Sequence, residues 1–244
     1  MPKSAEPPAV RADGYFAWSR DPAIGVVAVL PLWLTYEILR LRLTPDERNG
    51  AEVMLLDALG MLGHDGLAVL RAAFGCLVLF ASLSLLRRQI PWFRVGAVSA
   101  LEGIVYGLML GPLAGVLAAS AGRVLACRAV PESLSGNLVG SLGAGIFEEI
   151  VFRLGLMSAL VWLWLKAARA FALPRAAGGI VAVVVSAVVF SWFHHLWGQP
   201  FDRAAFLFRC AAGVLLGALF WLRGIGVCVY THAAYDVHYY LTHP

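Results

Sequence analysis

Residues 145–153 read Gly145-Ile146-Phe147-Glu148-Glu149-Ile150-Val151-Phe152-Arg153. Two carboxylates and a guanidinium stand inside a run otherwise suited to a lipid bilayer. From Asn137 to Leu165 they are the only formal charges. Each is unfavourable by roughly 2.5–3.5 kcal/mol at the centre of a membrane helix. A segment that only had to span would carry leucine at these positions. Glu148, Glu149 and Arg153 are therefore read as functional, against the alternative of a polar pin between helices.

Helix geometry separates the two glutamates. Glu149 and Arg153 are four residues apart, share a face and can pair. Glu148 and Arg153 are five apart, about 140° around an α-helix at about 100° per residue. Arg153 can neutralise Glu149 while Glu148 points elsewhere, into an apolar setting where a carboxylate can serve as a general base or acid.

Working outward, the 244 residues are 60% hydrophobic and 14% charged, with a mean hydropathy of +0.77. Soluble domains carry about a quarter charged residues. The apolar runs are long and continuous rather than alternating, which excludes a β-barrel. The expected fold is all-α, a polytopic transmembrane bundle of about seven spans at about 20 residues each, plus a short amphipathic interfacial helix. The chain is read as one integral membrane domain over 1–244, with a polar leader at 1–21 and core helices within 137–241. The spans fall at 22–40, 66–86, 96–120, 138–165, 176–196, 203–222 and 224–241, with the amphipathic helix at 51–63. The Gly- and Ala-rich third span and the Gly213/Gly217 pair of the sixth suit close helix packing.

The net charge of +4 is spread over loops, which fits membrane orientation and not nucleic-acid binding. With the N-terminus inside, Lys3, Arg11, Arg20, Arg87, Arg88, Arg94, Lys166, Arg169, Arg175 and Arg223 lie inside. Arg40, Arg42, Arg48, Arg123, Arg128 and Arg203 lie outside. Ten against six favours a cytoplasmic N-terminus. The first apolar run starts late and carries Glu37, so it reads as a retained helix and not a cleaved signal. Cys76, Cys127, Cys210 and Cys228 show no metal or redox spacing, and Cys76, Cys210 and Cys228 read as small core residues. Composition and compactness suggest a prokaryotic plasma membrane.

Two more helices carry ionisable groups in apolar runs. Phe190 and His194 are four apart on the fifth span, so the aromatic ring can pack on the imidazole. His232 and Asp236 are four apart on the last span, so Asp236 can orient the His232 ring. His195 points about 100° away from His194 and reads as interfacial or supporting. His238 and His243 read as solvated. Ser186 and Ser191 share the His194 helix, but no G-x-S-x-G elbow accompanies them.

Glu148-Glu149-x-x-x-Arg153, then Phe190-x-x-x-His194, then His232-x-x-x-Asp236 resembles the motif set of the CPBP family, the CAAX prenyl endoproteases and their bacterial relatives. The resemblance covers about 137–240. It implies peptide-bond hydrolysis in a cavity among the motif helices. Glu148 would activate water together with His194, and His232 with Asp236 would stabilise the oxyanion. Glu149, Arg153 and Phe190 would support them. The substrate would be a membrane-anchored or exported protein or peptide within the lipid bilayer.

Asp236 departs from the commonest form, where many members have asparagine. An ionised aspartate cannot donate a hydrogen bond. Either Asp236 is protonated, or it orients His232 and leaves the imidazolium as donor. A third reading is a divalent ion such as Zn²⁺ held by Glu148, His194, His232 and Asp236. H-E-x-x-H is absent, and the reaction without a cofactor is the favoured reading. Two other classes compete: a proton-coupled transporter, disfavoured by the lack of inverted repeats, and a non-catalytic membrane scaffold, which would be free to lose a motif residue.

Overall fold

The computed structural model describes residues 14–42, 49–61, 65–121, 133–196 and 201–243. Calls on the remainder, including Cys127 and the charges Lys3, Arg11, Arg48, Arg123 and Arg128, lie outside the described residues. The described chain is helical throughout, with no strand. In order it forms α1 (Tyr15–Trp18), α2 (Pro22–Leu39), a 3₁₀ turn (Arg40–Arg42), α3 (Gly50–Gly60), α4 (Gly66–Arg87) and α5 (Trp92–Ala121). Then come α6 (Leu134–Glu149), a π-helical segment (Ile150–Met157), α7 (Ser158–Phe171), α8 (Ala177–Leu196), α9 (Arg203–Arg223) and α10 (Ile225–Thr242).

Capping residues mark where many of these helices begin. The side chains of Asp21, Asn49, Asp65, Ser133 and Asp202 each accept a backbone N–H of the first turn that follows. Such a cap is worth about 1 kcal/mol.

Among the described residues, six stretches are long and apolar enough to cross a membrane: α2, α4, α5, the continuous helix 134–171, α8 and α9. They present large apolar side chains outward, such as Phe80 on α4 and Val116 on α5. The chain is an integral membrane protein. The expected seventh span exists as α10 but is not among those six. It carries His232, Asp236 and four tyrosines. Its partners explain that composition: α10 packs against α5 and α6 most extensively, and also against α2 and α9. A helix enclosed by others does not need lipid-like hydropathy.

Small residues let α10 in. A methyl group on Gly107 of α5 would lie 2.7 Å from the Thr231 carbonyl oxygen, and one on Gly145 of α6 would lie 2.8 Å from the Ala233 nitrogen. Gly213 of α9 plays the same part against the Ala187 backbone of α8. Close backbone approach of this kind supports helix association where lipid removes the hydrophobic driving force. The aromatic core between α2, α4 and α6 stacks Trp33 on Phe74 at 4.1 Å and sets Phe147 edge-on to Trp33 and Tyr36.

Two expectations change. Within the polar leader, α1 docks on the bundle, where the Tyr15 hydroxyl donates to Glu102 of α5. Glu102 in turn receives two hydrogen bonds from Arg223, at 2.7 and 2.5 Å. The helix carrying the two glutamates is not a plain α-helix over 138–165. It widens into π geometry at Ile150–Met157, directly after Glu149. Cys76 faces outward on α4 and is not a core residue, whereas Cys228 is fully buried.

Candidate active site

The glutamate pair sits at the C-terminal end of α6, just before the π segment. Isolated π turns are rare and recur at functional sites. Here the wider turn carries Phe152 and Arg153 inward. The Phe152 carbonyl accepts the Ser186 hydroxyl of α8 at 2.9 Å, and the Arg153 carbonyl accepts the Ser158 hydroxyl at 3.2 Å. Ser191 is likewise tied to a backbone carbonyl, that of Phe206, at 2.7 Å. Both α8 serines act as helix ties.

Glu149 and Arg153 form an ion pair at 2.9 Å, with side chains 0% and 1% exposed. The same Glu149 oxygen, Oε1, lies 2.7 Å from His232 Nδ1. Its other oxygen accepts the Cys228 thiol at 2.9 Å. The Arg153 guanidinium lies over the Phe190 ring at 4.5 Å. That ring meets His194 edge-on at 5.0 Å and His232 at 5.9 Å. Phe190 thus spaces three charged or ionisable groups apart.

Glu148 faces the other way, as the helix-face argument predicted. Its Oε1 accepts a hydrogen bond of 2.8 Å from Asn49 Nδ2. Its Oε2 is buried and accepts no hydrogen bond among the described residues. That atom lies 3.7 Å from His194 Nε2 and 3.8 Å from His232 Nε2. These separations are too long for direct hydrogen bonds and suit one small group touching both sides.

The imidazole tautomers follow from their partners. A carbonyl oxygen can only accept, so His194 Nδ1 carries the hydrogen it gives to the Phe190 carbonyl at 2.9 Å. His232 Nδ1 donates to the Glu149 carboxylate in the same way. Both rings therefore turn Nε2 toward Glu148. The glutamates and His232 are enclosed, whereas the His194 and Asp236 side chains are 24% and 22% exposed. The site opens on the His194 and Asp236 side.

The sequence reading paired His232 with Asp236, and the two lie within ion-pair distance, with Glu149 added as a closer partner of the ring. Asp236 Oδ2 is 3.5 Å from Nε2 of His232, beyond hydrogen-bond range. Glu149, on another helix, orients the ring through Nδ1. Asp236 flanks the working nitrogen instead. Two further residues near the site went unmarked in the sequence. Asn49 caps α3 and reaches Glu148. Arg209 of α9 is within electrostatic reach of His194 and Asp236. Arg209 had a signal, as a lone charge inside the sixth apolar run. Asn49 had none beyond a capping position.

Among the described residues, no three His, Cys, Asp or Glu side chains converge at metal-binding spacing. His232 Nδ1 and Glu149 are already committed to each other.

The polytopic helical bundle thus buries a glutamate that faces two imidazoles. Residues 131–238 match the family model described as Rce1-like, type II CAAX prenyl endopeptidase Rce1-like. Through this segment the chain resembles the CAAX proteases, a family of peptide hydrolases. No curated protein and no solved structure matches the chain.

Proposed function

We propose that the chain is an intramembrane endopeptidase in which Glu148 activates water for attack on a peptide bond. The observation that carries this reading is Glu148 Oε2: buried, without a protein donor among the described residues, and faced by the Nε2 atoms of His194 and His232. A water there can give one proton to Oε2 and be aimed by His194. Its oxygen attacks the carbonyl carbon of the substrate. The carbonyl oxygen then carries negative charge, which the His232 imidazolium stabilises by donating from Nε2–H while its Nδ1–H stays with Glu149. The proton held on Glu148 passes to the leaving nitrogen as the C–N bond breaks. Glu149, held by Arg153, keeps the His232 ring turned and its Nδ1 hydrogen in place.

Asp236 flanks His232 Nε2 and needs no hydrogen bond of its own to the oxyanion. The reaction requires no metal or other cofactor. The substrate is a membrane-anchored or exported protein or peptide. The N-terminus is cytoplasmic, in a prokaryotic plasma membrane, so the site lies in the outer half of the bilayer.

Mass spectrometry of protein termini in cells carrying the native chain or Glu148→Gln tests the reading. Unprocessed termini that accumulate in the variant on a defined set of membrane proteins are expected. Identical termini at equal expression would remove the protease reading.

A further inference from the structure

Asn49 lies 99 positions before the glutamate it touches and on a different element. Its side chain is held at both ends. Oδ1 accepts the Ala51 backbone N–H at 2.8 Å as the N-cap of α3, and Nδ2 donates to Glu148 Oε1 at 2.8 Å. The cap fixes which way the amide faces: the oxygen is used by Ala51, so the NH₂ group must meet the carboxylate.

The helix behind Asn49 is anchored by buried polar contacts. Glu52, one turn along α3, is fully buried. It pairs with Arg40 at 3.2 Å and accepts the Tyr36 hydroxyl. Ala51 is also fully buried, in the same core as Tyr36 and Phe147. Arg40 and Tyr36 belong to the C-terminal end of α2 and the turn after it. The start of α3 is thereby tied to the C-terminal end of α2, beside the glutamate pair. A carboxylate held at one oxygen by a fixed donor cannot rotate freely about its last torsion.

Building on the proteolytic reading above, we propose that Asn49 is a positioning residue for Glu148. It holds Oε1 so that Oε2 alone is presented to His194 and His232. A tie of α3 to α6 without that role would affect folding only. A positioning role affects turnover at unchanged stability, because small misplacements of a reacting group cost large factors in rate.

The test uses the full chain in detergent. Asn49→Ser keeps an N-cap oxygen but removes the amide donor; Asn49→Ala removes both. The probe is membrane from cells carrying Glu148→Gln, in which the substrates are unprocessed. The readouts are the rate of new termini at saturating membrane, the thermal midpoint, and the carboxylate infrared bands assigned by difference from Glu148→Gln. Expected for Asn49→Ser are a shifted Glu148 band, an unchanged midpoint and a rate lower by about 10- to 100-fold.

An unshifted band, or an unchanged rate while Glu148→Gln is inactive, overturns the positioning role and leaves the protease reading intact. A rate loss that merely follows the melting temperature across Asn49→Ser and Asn49→Ala also overturns it, in favour of a structural tie. If Glu148→Gln itself processes normally, the reading of the site falls and takes this proposal with it. The infrared band still reports the Asn49–Glu148 contact separately.

Discussion

Glu149 Oε1 lies 2.7 Å from His232 Nδ1, and the same oxygen is 2.9 Å from the Arg153 guanidinium. One carboxylate on α6 thus takes a helix-local cation and an imidazole from a helix 83 positions further along the chain. The three groups are buried together, so each depends on the others for its charge to be tolerated. The neighbouring Glu148 instead faces the imidazoles of His194 and His232 at 3.7 and 3.8 Å. The two adjacent glutamates should therefore fail differently.

Glu149→Gln leaves Arg153 buried without its carboxylate and frees the His232 ring. Breaking one side of a buried pair is unfavourable by about 3–5 kcal/mol. The thermal midpoint in detergent should fall clearly, and processing should fall with it. Glu148→Gln should lose processing with the midpoint close to that of the native chain. Equal destabilisation by both substitutions would show that Glu148 is also a structural group.

Gly145 marks where α6 and α10 touch. Its Cβ position would lie 2.7 Å from the Ala233 methyl and 2.8 Å from the Ala233 nitrogen, which cannot yield without moving the helix. Gly145→Ala should destabilise by about 1–3 kcal/mol. It should also draw the glutamates away from His232 and lower processing. Gly140, on the same helix, has nothing within 4 Å of its Cβ position. Gly140→Ala should be neutral or stabilising by up to about 1 kcal/mol. Thermal unfolding of the two variants side by side makes the comparison.

At the other end of the bundle, Arg88 pairs with Asp21, the cap of α2, through two hydrogen bonds. This pairing holds the Asp21 carboxyl below its ordinary value, with the backbone N–H of Ala23 adding to the effect. A depressed folded value means stability fully present above the ordinary aspartate range and lost as pH falls through the folded value. Asp21→Asn keeps the cap and removes the charge. The native chain should be more stable than Asp21→Asn near neutral pH, by up to about 1 kcal/mol. The gap should close below about pH 3. Melting curves across that range read it directly.

Chelation separates the two chemistries weighed for the four site residues. The geometry commits His232 Nδ1 to Glu149 and brings no three donors together among the described residues. Purified protein treated with a strong chelator, then dialysed, should retain its rate on substrate membranes. Loss of activity restored by added Zn²⁺ would reverse this reading.

The spans were legible because hydropathy is local: a long apolar run shows itself without knowledge of its neighbours. The Glu149–Arg153 pair was legible for the same reason, since four-residue spacing places both on one face. The same rule gave only one of the two partners of His232. Asp236 is its visible i+4 neighbour, while the bond that orients the ring comes from another helix and has no spacing in the sequence. Asn49 was hidden by its ordinary appearance as a polar residue beside a helix start. The π segment was hidden because Ile150–Met157, Arg153 apart, has an unremarkable apolar pattern. The enclosed place of α10 was also a matter of packing, although its histidines and tyrosines hinted at it.

The most direct measurement follows the oxygen atom. Purified protein would be incubated in H₂¹⁸O with membranes from cells carrying Glu148→Gln, and new C-termini read by mass spectrometry. The account predicts new termini bearing one ¹⁸O, formed by the native chain and absent with Glu148→Gln protein. Termini that form equally with both proteins, or none with the native chain, would contradict it.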